Sequence, residues 1–429
     1  MNNNYRDLSG ISVYPKAGLR LLLGAMVCNF LMYVLPEASL ARALFINTLT
    51  VESESVKQEF YNVEDFIDSL YSNTFSTVIK NYTDTSPASY IMDIRGLGAS
   101  ASYASGSTTL NFKVPVLNIS KTFSGATRND SDEQFINYIK SNGDDILTRI
   151  LQYQAAKTAV DPVAGNPASL MGIMVGYEYS MGRSNPLFRL TGTGMGSAQG
   201  HDNEYAIGLA AGRFSAGDFD QGLLSLPLVY IHYYEDPRYQ LRISLPLSMV
   251  EVNGAYAYSG SLGAGFRIPA NNDWSITPSV RVGGLSSDEF GSGAVVYSGS
   301  ATSHYNIYVN DLRASITNML GHYRTMAVER SGYDLDYDIS PTMTKNGVGL
   351  EGSGSKPLFG RPTSWEVTFS HTYFFGDEIY INSYFETGVS FGTRSIDRSA
   401  QFGAFRIGFI YTAGNHGYQG GRLNFGYAF

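Results

Sequence analysis

The sequence predicts an all-β fold, a transmembrane antiparallel β-barrel of about twelve strands (range ten to fourteen) with a helix ahead of it, which a family resemblance given below puts in the lumen. Three observations lead there. From residue 168 onward the chain is a succession of period-two patterns, each long enough to cross a bilayer on a tilt and each closed by turn residues. The last eight residues put Leu423, Phe425, Tyr427 and Phe429 on one face and Arg422, Asn424, Gly426 and Ala428 on the other. In water such a terminal strand is an exposed apolar edge; in lipid it is the last stave of a closed barrel. Composition is the third observation. Charged residues are only 16%, aromatics are 13% with 31 Tyr, and there are 46 Gly, the mixture that alternating lipid-facing and lumen-facing strands with aromatic girdles require.

The elements follow in chain order. Lys16 and Arg20 precede an apolar run from Leu21 to Leu35, and Ala38-Ser-Leu-Ala41 follows. That is a basic region, an apolar core too short for a spanning helix and a small-residue cleavage site, so residues 1–41 read as a signal peptide. Cleavage is expected after Ala41, with Ala43 the second choice. Cys28 leaves with the signal, and the mature chain has no cysteine for a disulfide or a metal. The formal charge is −8, and losing Arg6, Lys16 and Arg20 against Asp7 and Glu37 leaves it slightly more acidic. An acidic chain without a basic run is a poor nucleic-acid binder.

Residues 42–130 form a short mixed segment. Val56, Phe60, Val63, Phe66, Ile67 and Leu70 predict a helical stretch over 54–82, and 90–103 and 108–123 read as strand-like runs. Residues 131–160 are the clearest helix, capped by Ser131, kinked or split at Asn142-Gly143 and ended by Asp161-Pro162. The predicted barrel, 161–429, has strands at 168–182, 203–217, 221–235, 238–252, 255–269, 273–285, 293–308, 310–329, 363–375, 378–394, 400–413 and 421–429. Turns fall at Asn253-Gly254 and Gly376-Asp377, among others. One inconsistency stands out. The long stretch 330–362 follows the eighth of these strands and lands on the side where turns are short. A missed strand, first of all 187–197, or one listed strand that is two, would repair it.

The final strand resembles the C-terminal insertion signal of bacterial outer-membrane barrels, terminal Phe included. A helix followed by about twelve alternating strands over 131–429 resembles the translocator domain of autotransporters, in architecture and not in motif. Asp161-Pro-Val-Ala-Gly-Asn-Pro-Ala-Ser-Leu170 is also similar to the entry into solitary autotransporter-like barrels, which lack a large passenger. The resemblance implies residence in the outer membrane of a Gram-negative bacterium, with outer-membrane lipid and the barrel-assembly machinery as partners. It also implies a pore that holds 131–160 and displays the short segment before it. The alternative is a porin-like channel for small or apolar solutes, with 42–160 as its plug.

Alternation assigns Arg242, Arg267, Arg281, Arg406, Arg422, Glu366 and Glu386 to the lumen, because a charge facing lipid costs a few kcal/mol near the midplane. Such a lining selects anions, or grips a helix through Asp132, Glu133, Asp144 and Asp145, or merely fills the barrel with a charge network. Enzyme chemistry finds little support. Barrel phospholipases and lipid A deacylases resemble one another in a His-x-Ser pair, and none of His201, His232, His304, His322, His371 and His416 has Ser two residues on. Asp334, Asp336 and Asp338 alternate in a stretch that reads as a solvated loop. No metal or cofactor motif is present, so the expectation is a non-enzymatic barrel without metal or cofactor.

Overall fold

The computed structural model describes residues 43–183, 203–217, 219–330, 332–358, 360–393 and 404–428. The expected signal peptide, Phe429 and the 187–197 run lie outside them.

Ahead of the barrel, six short strands form an antiparallel sheet: β1 (Phe45–Val51), β2 (Glu54–Phe60), β3 (Ala88–Ile94), β4 (Leu97–Tyr103), β5 (Thr109–Val114) and β6 (Ile119–Ser124), in the order β2-β1-β3-β4-β5-β6. Each alternates, as Phe45, Asn47, Leu49 and Val51 do on the inner face of β1. The helix expected over 54–82 is corrected here. Val56 and Phe60 stand four apart, a spacing that suits both periods, and the hairpin Val51↔Glu54 draws them into β2. Only Val63–Asp68 and Phe75–Val78 are α-helical in that stretch, with a 3-10 turn at Ser72–Thr74. The runs 90–103 and 108–123 are hairpins, the first turning at Arg95-Gly96, both at positive φ.

Helices α1 (Arg128–Lys140) and α2 (Ile146–Lys157) cover the predicted helix, divided at Asn142 in the left-handed conformation. The cap is not Ser131 but Thr127, in a capping box with Asp130. The expected lumen position of 131–160 is also corrected. Phe135 of α1 packs on Phe112 and Phe123 of the sheet, at ring-centroid distances of 4.7 and 5.6 Å. With Glu133, Gln134 and Asn137 turned outward, α1 has only one apolar stripe and suits a sheet face with solvent beyond it.

The helix that touches the barrel's inner wall is α3 (Leu170–Gly182), which packs on strands of the barrel and is apolar nearly all round. Sequence alternation makes 168–182 a strand, because a continuous apolar run has neither period.

The barrel itself runs β7 (Asn203–Ala216), β8 (Phe219–Tyr233), β9 (Gln240–Val252), β10 (Ala255–Pro269), β11 (Trp274–Ser287), β12 (Ser292–Val309) and β13 (Leu312–Met326). After a small hairpin, β14 (Val328–Arg330) and β15 (Tyr333–Leu335), come β16 (Thr342–Ser353), β17 (Thr363–Phe375), β18 (Ser383–Thr393), β19 (Ala404–Gly414) and β20 (Gln419–Ala428). The last strand closes on the first with Leu423↔Ala211, Phe425↔Leu209 and Tyr427↔Ile207. Twelve strands close, as expected, although two errors cancel: 168–182 is a helix, and Thr342–Ser353 is a strand that its Gly, Lys and Asn disguise as loop. With β16 in place the 15-residue connection 327–341 follows the seventh strand, and the side problem disappears. Leu226, Leu245, Leu247, Val280, Val282, Phe369, Phe385, Ile407 and Phe409 are exposed on the outer surface, a belt that fits lipid.

Candidate functional site in the barrel lumen

The N-terminal domain, its linker and α3 lead from one end of the barrel into its lumen. At that end the amide of Val63 donates to the carbonyl of Glu289 at 3.1 Å, that of Tyr380 to Ala155 and that of Ile381 to Gly165, both at 2.9 Å. Residues 158–169 then enter the barrel mouth, buried almost throughout. Such a stretch must find partners for its backbone. Asn166, 4% exposed, supplies several: its Nδ2 donates to the carbonyls of Ala159 (2.8 Å) and Asp161 (3.0 Å), and its Oδ1 accepts from the amide of Ala168 (2.8 Å) and from Gln221 (3.3 Å). Asp161 accepts from the amides of Val163 (3.0 Å) and Ala164 (2.9 Å) and from the Tyr337 hydroxyl (2.9 Å), with Arg95 at 3.8 Å. The residues flagged in sequence as the barrel entry therefore form a cork.

Ser169 caps α3, accepting from the amide of Gly172. From there α3 descends roughly 20 Å, at 1.5 Å per residue. Its upper half is held by packing, with Leu170, Met171, Met174 and Val175 all buried. Its lower half is held by polar contacts. Glu178 accepts from Ser298 and Tyr323, and the Tyr177 and Ser225 hydroxyls are 3.2 Å apart. Gly182 lies so close to the wall that a Cβ there would stand 2.1 Å from Thr302 Cγ2. Arg242, 1% exposed, donates from one guanidinium nitrogen to the carbonyls of Met181 and Arg183. A cation at the carbonyl end of a helix meets both its unpaired acceptors and its dipole.

The other predicted lumen charges fall as follows. Arg281 donates to Ser261 (3.0 Å) and Ser244 (2.5 Å), with its guanidinium 5.9 Å from the Tyr177 ring. Arg406 donates to Ser390 (2.9 Å) and Ser364 (2.8 Å). Glu366 pairs with Arg183 at 2.5 Å. Glu386 is shared between Lys345 and Arg422, the latter at 3.2 Å. Arg267 is half-buried on β10. None of them meets Asp132, which is buried in the N-terminal domain, accepting from the amide and hydroxyl of Ser72 and from Tyr103. Arg183, Glu178, Lys345 and the Arg313–Glu351 pair (2.5 Å) belong to the same interior and escape the sequence reading, because 170–183 reads as a strand or turn and 342–353 as loop. Among the described residues no cluster of His, Cys, Asp and Glu could hold a metal ion.

No family model and no curated protein matches the sequence. Solved structures resemble about half of this chain at low identity. The β domain of the Bordetella autotransporter BrkA matches with a TM-score of 0.42 and 12% identity, over 53% of this chain and 99% of that one. The translocator domain of the autotransporter NalP from Neisseria meningitidis matches with 0.39 and 14%, over 54% and 90%. LpxR from Salmonella typhimurium matches with 0.37 and 10%, over 53% and 99%. LpxR is an outer-membrane barrel enzyme, so the expectation of a non-enzymatic barrel is withdrawn. Each likeness covers about half of this chain, at 14% identity or less. A closed twelve-strand barrel with an apolar belt makes this protein a β-barrel of the bacterial outer membrane.

Proposed function

We propose that this barrel displays its own N-terminal domain at the cell surface and keeps it there, with Leu170–Gly182 as the tether through the pore. One observation carries the reading: the direction of α3. Its N-terminus lies beside the cork, at the end of the barrel that bears the domain, and Arg183 lies near Glu366 and Arg242, toward the opposite end. Strand β7 starts and β20 finishes at that opposite end, since Asn203 pairs near the end of β8 and Ala404 pairs with Ala428. A chain delivered from the periplasm begins and ends its barrel on the periplasmic side. On that assignment the domain faces outward, and so does the longest connection, 327–341, as outer-membrane barrels require. The buried contacts of Asn166, Asp161 and Arg95 favour a domain that stays attached over one that is released.

The test is direct because the sequence has a single cysteine, Cys28, inside the segment expected to leave as the signal peptide. Lys113→Cys, on the exposed face of β5, should react with an impermeant maleimide on intact cells. Labelling only after the outer membrane is opened would reverse the barrel and favour a channel plugged from the periplasm.

A further inference from the structure

Helix α3 does not fill the lumen. It packs on β9 to β13, and a cavity of about 110 Å³ remains between it and the far wall, room for several waters. Gly176 faces open space there, with nothing within 4 Å of where its Cβ would be. Tyr177, Ser180, Arg183, Ser225, Arg422 and Asn424 are among the groups around it.

Two features of this cavity point the same way. Among the described residues around it and the adjoining space, the cations are Arg183, Lys345 and Arg422 and the carboxylates are Glu366 and Glu386. Arg183 takes Glu366, and Lys345 and Arg422 divide Glu386, so one positive charge has no counter-charge. Inside a protein an uncompensated charge is strongly unfavourable. The second feature is independent of charge. Asn424 is 4% exposed, and its Nδ2 has no hydrogen-bond partner; nor does Arg422 Nε. Both groups are donors, two positions apart on one face of β20, and buried donors are nearly always paired.

We propose that this cavity binds a small inorganic anion of halide size beside Arg422 and Asn424, as the missing counter-charge of the cavity. A monovalent anion accepts from both donors at once and balances the third cation. A water would satisfy the donors and leave the charge.

Bromide tests it in the full-length protein. Crystals grown with bromide in place of chloride should show an anomalous peak between Arg422 Nε and Asn424 Nδ2. In detergent, the unfolding temperature should be higher in bromide or chloride than in gluconate at equal ionic strength, because an ion that binds only the folded state stabilises it. Asn424→Asp puts a fixed carboxylate where the anion would sit, and should abolish both the peak and the halide-dependent shift. Arg422→Gln removes the excess charge and should do the same. The absence of a peak in the wild-type protein overturns the proposal, whether or not either variant folds. So does a peak or a halide shift that persists unchanged in a variant that does fold.

Discussion

At the scale of single residues, two glycines of α3 separate the role of the wall from that of the cavity. Gly182 sits where the helix touches β12, and an added methyl would overlap Thr302. Gly182→Ala should therefore cost about 1–3 kcal/mol, the usual penalty for overpacking. Gly176 faces open space, and Gly176→Ala should be tolerated or should stabilise by up to about 1 kcal/mol through helix propensity. The temperature at which the folded barrel band is lost on a semi-native gel reads both. If the two variants behave alike, α3 is not held as described. Residues of this interior were legible wherever strand alternation applies. Val280 and Val282 flank Arg281, and Ile407 follows Arg406, so each Arg could be placed by period alone. Arg183 and Glu178 were not legible, because they belong to an apolar run with no period. What Arg242 touches was equally hidden: its inward direction is a local property, but the carbonyls of Met181 and Arg183 lie some 60 residues away in sequence.

At the scale of elements, the N-terminal sheet and α1 make a domain whose polar centre is Asp132. Burial pushes its carboxyl above the usual carboxylate range, against the lowering effect of its bonds from Ser72 and Tyr103 and of nearby Arg128. A carboxyl whose folded pKa is raised favours the folded state in its protonated form. That contribution is complete below the unfolded value near 3.8 and is lost as pH rises through the folded one. The domain's own stability, followed by the fluorescence of a probe on Lys113→Cys, should therefore weaken as pH rises from the unfolded value of 3.8 through the raised folded one. Asp132→Asn, which cannot titrate, should flatten that slope; an unchanged slope would assign the effect to other groups. The elements themselves were unevenly readable. The helices at 128–140 and 146–157 show in sequence through their apolar spacing and the break at Asn142, while the Thr127–Asp130 capping box is missed in favour of Ser131. Strand β2 does not show, because the spacing of Val56 and Phe60 fits two periods and only the hairpin to β1 decides between them. Strand β16 carries Lys345 and Asn346 toward the middle of its length, and only its neighbours β13 and β17 reveal that it spans the wall.

At the scale of the whole molecule, two parts obstruct the pore, and they obstruct it differently. Among the described residues, helix α3 leaves the cavity beside Arg422 and Asn424 unfilled along one side. The seal falls to residues 158–169, where Val160, Asp161, Val163 and Ala164 have no exposed surface. Asn166 ties that cork together with four hydrogen bonds, one of them to Gln221 of the barrel wall. Asn166→Ala removes them all and leaves buried carbonyls unpaired, each at a cost of about 1–3 kcal/mol. In a planar bilayer the intact chain should therefore be closed, while Asn166→Ala should open in bursts. The current should favour anions, because Arg183, Lys345 and Arg422 outnumber Glu366 and Glu386 along the remaining path. Steady conductance from the intact chain would mean that the cork does not seal, and would move a solute channel ahead of surface display. A variant as closed as the wild type would place the seal in α3, and the cavity beside it would then be a dead end and not a path.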